Sequence, residues 1–261
     1  MNADVSPTVV ILAFLAIGLC SQLIGHICPI VRQAEMPEYL WDIIGLVSTL
    51  VFTALATVYM VEPTRGWIAG TDSLAGWYAT LQSKPIWLVL LINLVLADFL
   101  AYWGHRVLHT RPLWSTHAWH HSPKTINWLS GMRASPFHIV MITALPLLLS
   151  STAVPLPHAS MAPLIVAIFA IFIQHTLHSN IRVRFAQQIE WLFITPRYHR
   201  VHHSSRKHHT DSNFGFVLPV WDRLFLTYSD PQEVPAEELI GLDYEFNKTL
   251  ALVGLPAKRS S

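Results

Sequence analysis

The chain has 261 residues, of which 52% are hydrophobic and 13% are charged, and its formal net charge is +1. Soluble domains carry about 25% charged residues, so the composition favours a membrane protein. A net charge this small, without any dense run of lysine and arginine, excludes the electrostatic footprint of a nucleic-acid-binding protein. We therefore expect a bilayer, and no nucleic acid, as a partner.

Three apolar stretches lie in the N-terminal 104 residues. A helix needs about 20 residues to cross a hydrocarbon core of about 30 Å. The sequence therefore predicts membrane-spanning helices over residues 8–31, 39–61 and 85–104.

Two further apolar stretches follow, over residues 137–156 and 161–179. Prolines lie between them and at their ends, so the pair is predicted to form either two more spans or a shallow re-entrant hairpin. The predicted fold class is all-α: a polytopic membrane helical bundle of four to five spans, with a histidine-rich helical cap that faces the cytoplasm.

The distribution of lysine and arginine predicts the orientation. If all five stretches cross, residues 32–38, 105–136 and 180–261 lie on one side and hold 15 of these residues, whereas residues 62–84 and 157–160 hold two. The positive-inside rule then places the C-terminus in the cytoplasm and the N-terminus outside. We expect an integral membrane protein whose histidine-rich cap faces the cytoplasm.

Histidines form the main chemical feature of the sequence. Fourteen of the 15 lie between residues 105 and 209, in the groups HRVLH (105–109), HAWHH (117–121), HTLH (175–178) and HRVHH (199–203). Helix positions i, i+3 and i+4 share a face, so each group presents several imidazoles together. Their number exceeds the six positions around one octahedral ion, which indicates two metal ions.

Adjacent histidines support the same conclusion. Neighbours such as His120 and His121 point about 100° apart on a helix, so they would serve two neighbouring ions. Imidazole accommodates iron, zinc, copper and nickel, and ligand type alone does not name the metal. Glu190 is the only acidic residue between Asp98 and His203, which excludes the carboxylate-rich di-iron bundles and the HExxH zinc peptidases.

The third predicted span carries an acidic residue near its end. Asp98 shares one helical stripe with Tyr102, His105 and His109. It lies about 10 Å along the axis from His105, so we expect Asp98 to orient a histidine of another segment. An aspartate in an apolar span is a functional candidate by default.

The remaining histidines differ in how strongly their positions indicate a ligand. His178 is a predicted ligand and His175, on the same face, a weaker one. His138 is left open between ligand and packing residue. The others are interpreted as having no role in the site: His26, His158, His208 and His209.

These motifs resemble those of the fatty acid hydroxylase and sterol desaturase superfamily, whose histidine motifs HxxxH, HxxHH and HxxHH occur here in order. The likeness extends over residues 90–243, through Asp98-Phe99, Arg133, Thr195-Pro196 and the segment WDRLF at 221–225. The spacing is most similar to that of bacterial sterol-desaturase-like proteins and of the alkylglycerol monooxygenase group. The chain departs from the pattern at Leu226, where glycine is usual, and at His138, where an acidic residue is common.

The resemblance implies an integral protein of the bacterial inner membrane whose di-iron active site faces the cytoplasm. Carried over motif by motif, it implies a metal-ligand set that can be written residue by residue: His105, His109, His117, His120, His121, His178, His199, His202 and His203. It also implies that two iron ions use O2 and electrons from an external donor, a separate reductase, to oxidise a C–H bond of a lipid. Zinc is expected to replace iron readily on purification, because imidazole ligands bind both metals.

Hydroxylation of a fatty acyl, sterol, isoprenoid or ether lipid is the preferred function, and desaturation at the same site is the alternative. A histidine-rich metal transporter or a bis-histidine haem b electron carrier is the rival of another class. We expect N-terminal spans over residues 1–84, the catalytic domain over 85–228 and a C-terminal tail over 229–261.

Overall fold

A computed structural model describes residues 7–32, 36–71, 74–156 and 161–255 of the chain. Within these ranges all regular elements are helical, and only two isolated β-bridges occur, Pro29 with Ile181 and Ser204 with Ile240. The α-helices are α1 (Pro7–Ile27), α2 (Tyr39–Ala56), α3 (Glu62–Ala69), α4 (Ala75–Gln82), α5 (Ile86–Leu108), α6 (Trp114–His117), α7 (Pro136–Ile139), α8 (Leu145–Ala153), α9 (Ala162–Leu177), α10 (Ala186–Ile189), α11 (Pro196–His202), α12 (Lys207–Thr210), α13 (Val220–Leu224) and α14 (Lys248–Leu252).

Four helical segments of the described residues are long and apolar enough to cross a membrane. Two of them run on through a π-helical turn, Thr57–Val61 between α2 and α3 and Val140–Ala144 between α7 and α8. The candidate spans are Thr8–Ile27, Tyr39–Thr64, Ile86–Leu108 and Pro136–Ala153. The prediction of a polytopic helical membrane bundle is confirmed.

The fifth apolar stretch is α9, which has 16 residues. At 1.5 Å per residue it is about 24 Å long, shorter than the hydrocarbon core of about 30 Å. It packs along α1 and also contacts α5. Of the two apolar stretches at residues 137–179, the first is therefore long enough for a full span and the second is shorter than one.

The helix ends meet at two opposite ends of the bundle, as expected for helices that cross a membrane in alternating directions. At one end, the backbone of Ile30 after α1 bonds to Asn180 after α9, and Arg133 before α7 binds Asp42 in the first turn of α2. At the other end, Trp77 of α4 donates to the carbonyl of Ala153. The first of these ends carries the histidines. The assignment of that end to the cytoplasm stays a prediction.

The segment after residue 229 packs back on the histidine-rich end. The backbone N–H of Gly241 donates to the carbonyl of His203, and Trp114 donates its indole N–H to the Tyr244 hydroxyl at 2.8 Å. Ala251 of α14 is fully buried against Trp119. The division of the chain at residues 84 and 228 stays a prediction.

Gly104 marks the closest approach between α5 and the π-helical turn at Val140–Ala144. A Cβ atom at this position would lie 2.3 Å from the carbonyl oxygen of Met141, whereas a Cβ at Gly76 would meet nothing within 4 Å. Backbone cannot move aside as a flexible side chain can, so overpacking here costs about 1–3 kcal/mol. The glycine is therefore a packing requirement of the bundle.

We expect Gly104→Ala to lower the melting temperature of the detergent-solubilised protein by several degrees, because α5 and the π-helical turn must separate. Gly76→Ala is the matched control and should leave the melting temperature unchanged or slightly raised. Tryptophan fluorescence during heating measures both. Equal melting temperatures for the two variants would contradict the close packing.

Candidate metal centre

Four segments bring histidines to the same end of the bundle. The HRVLH motif occupies the last turn of α5, with His109 as its C-cap. In HAWHH, helix α6 ends at His117 and the following residues form turns. His178 caps α9, and HRVHH lies on α11, which begins after Thr195, whose hydroxyl accepts from the backbone N–H of Tyr198.

The first histidine group has five members, and one nitrogen atom from each lies within 4.8 Å of those of the others. His105 Nε2 lies 3.1 Å from His117 Nε2. The Nε2 atoms of His109, His121 and His202 have no hydrogen-bond partner among the described residues. The group comprises His105, His109, His117, His121 and His202.

The second histidine group has four members, all buried. His178 Nε2 lies 3.2 Å from His120 Nε2 and 3.0 Å from His199 Nε2. His203 Nε2 lies 3.1 Å from His199 Nε2. The group comprises His120, His178, His199 and His203, so the two groups together contain the nine histidines expected from the motifs.

The two histidine groups lie side by side, and their rings contact each other. His120 and His121 are adjacent in sequence but belong to different groups, as do His202 and His203. The rings of His121 and His203 stack across the boundary with their centroids 4.6 Å apart. Helical and turn geometry thus places consecutive imidazoles in different histidine groups, which is the arrangement that a dinuclear site would require.

Backbone carbonyls hold the outer nitrogen of several rings. The Nδ1–H of His105 donates to the carbonyl of Phe214 at 2.8 Å, and that of His202 donates to the carbonyl of Ser212 at 2.7 Å. The Nδ1–H of His178 donates to the carbonyl of Gln174 at 3.0 Å. A carbonyl can only accept, so the proton is on Nδ1 and the Nε2 lone pair faces its group.

Burial keeps these imidazoles neutral. Desolvation holds the pKa of His120, His121 and His203 well below the usual range of histidine, and the neighbouring imidazoles lower it further. Each of these side chains is at most 4% exposed. Neutral imidazole is the form that binds a metal ion, so the site is poised for metal across the physiological pH range.

The distances within the groups fit metal ions. Imidazole nitrogens bind such ions at about 2.1 Å, so two ligands at right angles stand about 3.0 Å apart. The close nitrogen pairs measure 3.1, 3.2, 3.0 and 3.1 Å. Lone pairs that converge in a buried space repel one another, and a cation among them converts this repulsion into attraction. The donor set therefore suits two ions.

Asp98 is buried, but the expectation that it orients a histidine directly is wrong. Its carboxylate accepts from the backbone N–H groups of Val217 and Leu218 at 2.9 and 3.1 Å, and from the indole N–H of Trp221 at 2.8 Å. The reason is its depth on α5, which places it beside the loop rather than the rings. Asp98 thus fixes the segment that follows Phe214, the acceptor for His105.

Asp222 clamps the same loop from its other side. It accepts from the backbone N–H groups of Phe214 and Gly215 at 2.8 and 2.9 Å, and from the Tyr198 hydroxyl at 3.0 Å. Burial raises the pKa of Asp222, although its donors favour the carboxylate. Two buried aspartates therefore position the carbonyl that orients His105.

His138 and His175 have different surroundings. His138 Nδ1 lies 2.8 Å from His117 Nδ1, on the side of the His117 ring that faces away from the first histidine group. His175 lies outside both groups, against Phe14 and Trp128 with ring centroids 4.4 and 5.1 Å away. His175, the weaker ligand of the prediction, is thus placed as a packing residue, and His138 as an outer partner of His117.

The histidines set aside by the sequence lie apart from both groups. His26 contacts Gln22 at an exposed position, His208 is exposed, and His209 pairs with Glu238. His158 lies outside the described residues. None of the three described ones reaches either histidine group.

The roles of several supporting residues were not predicted from the sequence. Asp211 lies 3.4 Å from His109 Nδ1. Arg133 is 1% exposed and binds Asp42 at 2.6 Å and Glu38 at 3.1 Å, which ties α2 to the segment between the second histidine motif and α7. The one sequence signal for Asp42 is its position as an acidic residue in an apolar helix.

Fold and site together define a polytopic helical membrane protein with two adjoining, buried histidine groups. The chain belongs to the fatty acid hydroxylase family, whose model matches residues 90–227. That range includes every member of both histidine groups as well as Asp98 and Asp222.

Curated relatives match more than half of the chain. The chain is 31% identical to alkylglycerol monooxygenase of Xenopus tropicalis over 159 residues, which is 58% of this chain and 32% of the relative. It is 30% identical to the ornithine lipid hydroxylase OlsE of Rhizobium tropici over 165 residues, 60% of this chain and 46% of the relative. The chain thus spans a third to a half of these relatives. No solved structure matches it.

We expect His138→Phe to weaken metal binding roughly 10- to 100-fold, the usual effect of removing an outer partner of a histidine ligand, because His117 loses the contact that holds its ring. His138→Gln keeps a polar atom near His117 Nδ1 and should recover part of the affinity. Metal retained per chain after dialysis against chelators of graded strength measures the effect. His175→Phe is the control, and equal loss from it would contradict the assignment.

Proposed function

We propose that this protein is a membrane-embedded di-iron oxygenase that hydroxylates a C–H bond of a lipid. The observation that carries the proposal is the convergence of neutral imidazole nitrogens in two adjoining buried groups, five in one and four in the other. The family model and the lipid-oxidising relatives support the reaction class.

The nine histidines of the two groups would hold the two irons. Bound there, the irons would supply the reductive activation of O2 that oxidises an unactivated C–H bond, chemistry beyond any side chain. The chain's own residues fix the ligands: carbonyl acceptors keep the protons of His105, His178 and His202 on Nδ1, and burial excludes water from the rings.

The overall reaction determines which partners are needed. One C–H bond of the lipid is broken and a C–O bond forms, so that one oxygen atom of O2 enters the alcohol and the other leaves as water. The balance requires two electrons and two protons. We assign the electrons to a separate reductase or electron-transfer protein that reaches the histidine-rich end of the bundle.

The substrate is assigned to the lipids by location and by likeness. The histidine groups lie at the ends of apolar helices, where an acyl chain, sterol or isoprenoid can approach from the bilayer. The relatives are named for an alkylglycerol and an ornithine lipid. The excess of lysine and arginine on the connections at this end supports a cytoplasmic site in an inner membrane.

The geometry argues against the rival classes. A bis-histidine haem needs two imidazoles on opposite faces of a porphyrin, whereas each histidine group here holds four or five ring nitrogens within 4.8 Å of one another. Transporters place their sites near the bilayer midplane, whereas these histidines lie at and beyond the helix ends.

Lipid analysis of cells with and without the protein tests the reaction. A lipid that gains one oxygen atom only when the protein is present supports hydroxylation, and one that loses two hydrogens points to desaturation at the same site. An unchanged lipid profile under aerobic conditions, with iron-loaded protein and a reductase present, would contradict both reactions.

We expect His121→Ala and His203→Ala to lower metal content from two ions per chain towards one, and activity by roughly 100-fold or more, because each removes a ligand from a different histidine group. His208→Ala, at an exposed position on α12, is the matched control and should keep both ions. Metal analysis of the anaerobically iron-loaded proteins makes the comparison. Two ions in both variants would remove these residues from the site.

A further inference from the structure

One surface of the histidine-rich cap is apolar and exposed. It is formed by two chain segments, 191–193 and 220–226, and we call it the cap patch. Its members and their exposed fractions are Trp191 74%, Leu192 60%, Phe193 49%, Val220 45%, Leu224 62% and Leu226 92%. Soluble surfaces rarely expose contiguous apolar patches without a partner.

The two segments of the cap patch are tied together. The backbone N–H of Ile194 donates to the carbonyl of Val217 at 2.9 Å. Arg223 of α13 donates to the carbonyl of Glu190 at 2.8 Å, and its guanidinium lies over the Trp191 ring at 5.0 Å. The patch is therefore one continuous surface.

The depth of the cap patch follows from its contacts with α5. Asp98 binds the backbone of Val217 and Leu218 and the indole of Trp221, directly before and within α13. Asp98 lies six residues before the predicted end of the span at residue 104, which is about 9 Å along the helix axis. The segment that carries half of the patch therefore contacts α5 within its candidate span, Ile86–Leu108, seven residues before His105.

Aromatic contacts join the same segment to α5 nearer the C-terminal end of the helix. The Phe99 ring lies 5.1 Å from Trp221, and the Trp103 ring lies 4.9 Å from Phe225. Phe99 and Trp103 are one turn apart on α5, so the segment 221–225 runs along the helix instead of crossing above it. One of the two segments of the cap patch therefore lies beside the apolar helix α5.

The backbone of Leu226 carries a second, independent observation. Its φ is +58°, in the left-handed region that costs a bulky residue energy and favours glycine. The side chain is also 92% exposed. A water-facing turn gains nothing from leucine at such a position, whereas a leucine inserted among acyl chains gains burial that offsets the strain.

Phe185, directly before α10, also combines a left-handed backbone with an exposed apolar side chain. Its φ is +59° and its side chain is 62% exposed. The guanidinium of Arg184 lies over its ring at 4.8 Å. Aromatic rings beside arginine are typical of the membrane interface, where the ring enters the bilayer edge and the cation meets phosphate.

We propose that the cap patch is a bilayer contact: it inserts into the leaflet that borders the histidine-rich end, with acyl chains covering the apolar side chains and headgroup phosphates meeting Arg184 and Arg223. This contact holds the loop at residues 214–218 against the membrane. Phe216 in that loop stacks on His105 with ring centroids 5.0 Å apart. The cap patch therefore anchors the part of the cap that lies between the lipid and the first histidine group.

Spin labels test the contact in the full-length protein in phospholipid vesicles. The exposed native cysteines are first replaced as Cys20→Ser and Cys28→Ser, and a label is then attached to Leu192→Cys or Leu226→Cys. Leu91→Cys on the exposed face of α5 is the lipid control, and Glu237→Cys in an exposed part of the cap is the aqueous control. Power saturation compares collisions with O2, which concentrates in lipid, and with a water-soluble nickel chelate.

We expect the labels at 192 and 226 to show the high ratio of O2 to nickel accessibility found at 91, several-fold above that at 237. A ratio equal to that at 237 would place the patch in water and overturn the proposal. Low accessibility to both reagents would place it against protein, such as a second copy of the chain, and would overturn it as well. Metal content of each labelled protein verifies the fold.

Discussion

The structure depends on the burial of nine neutral imidazoles whose nitrogen atoms converge on two small spaces. A buried polar atom without a partner is costly, and several of these nitrogens have no partner among the described residues. Such an arrangement persists only if the surrounding protein fixes each ring and a ligand satisfies the lone pairs. The bundle, the loop at 214–218 and the chain after residue 229 all contribute to that fixation.

Three buried aspartates contribute to this fixation without contacting the imidazole rings. Asp98 and Asp222 hold the loop whose Phe214 carbonyl orients His105. Asp42 neutralises the buried Arg133 and thereby ties α2 to the chain between the second histidine motif and α7. A site built almost wholly of neutral ligands thus uses its few buried charges for architecture. The bilayer contact of the cap patch would steady the same loop from outside.

Much of the fold could be predicted from the sequence, because hydrophobic length and helical spacing are local properties. The first three spans were placed within a few residues. The separation of His120 from His121 was predicted from the rotation per residue of a helix, and it is present although both residues lie in turns after α6. The fourth and fifth stretches were harder to predict. The helix α9 is too short for a full span, and the prolines indicate an interruption without fixing the length of either helix.

The partners of the histidines could not be predicted, because they depend on contacts between distant segments. Sequence spacing could not pair His138 with His117, nor assign Asp98 to the backbone of a loop 119 residues later. Backbone carbonyls such as that of Phe214 have no sequence signature at all. The departure at Leu226 was visible, but its left-handed backbone and its exposure could be interpreted only with the structure.

The proposed binding of two neighbouring irons by the two histidine groups is tested most directly by Mössbauer spectroscopy. The protein is loaded anaerobically with iron-57 and then oxidised. The geometry predicts two non-haem irons per chain with nitrogen-rich ligation, coupled to each other so that the oxidised pair has no net spin. A single uncoupled iron per chain, or a haem signal, would contradict it.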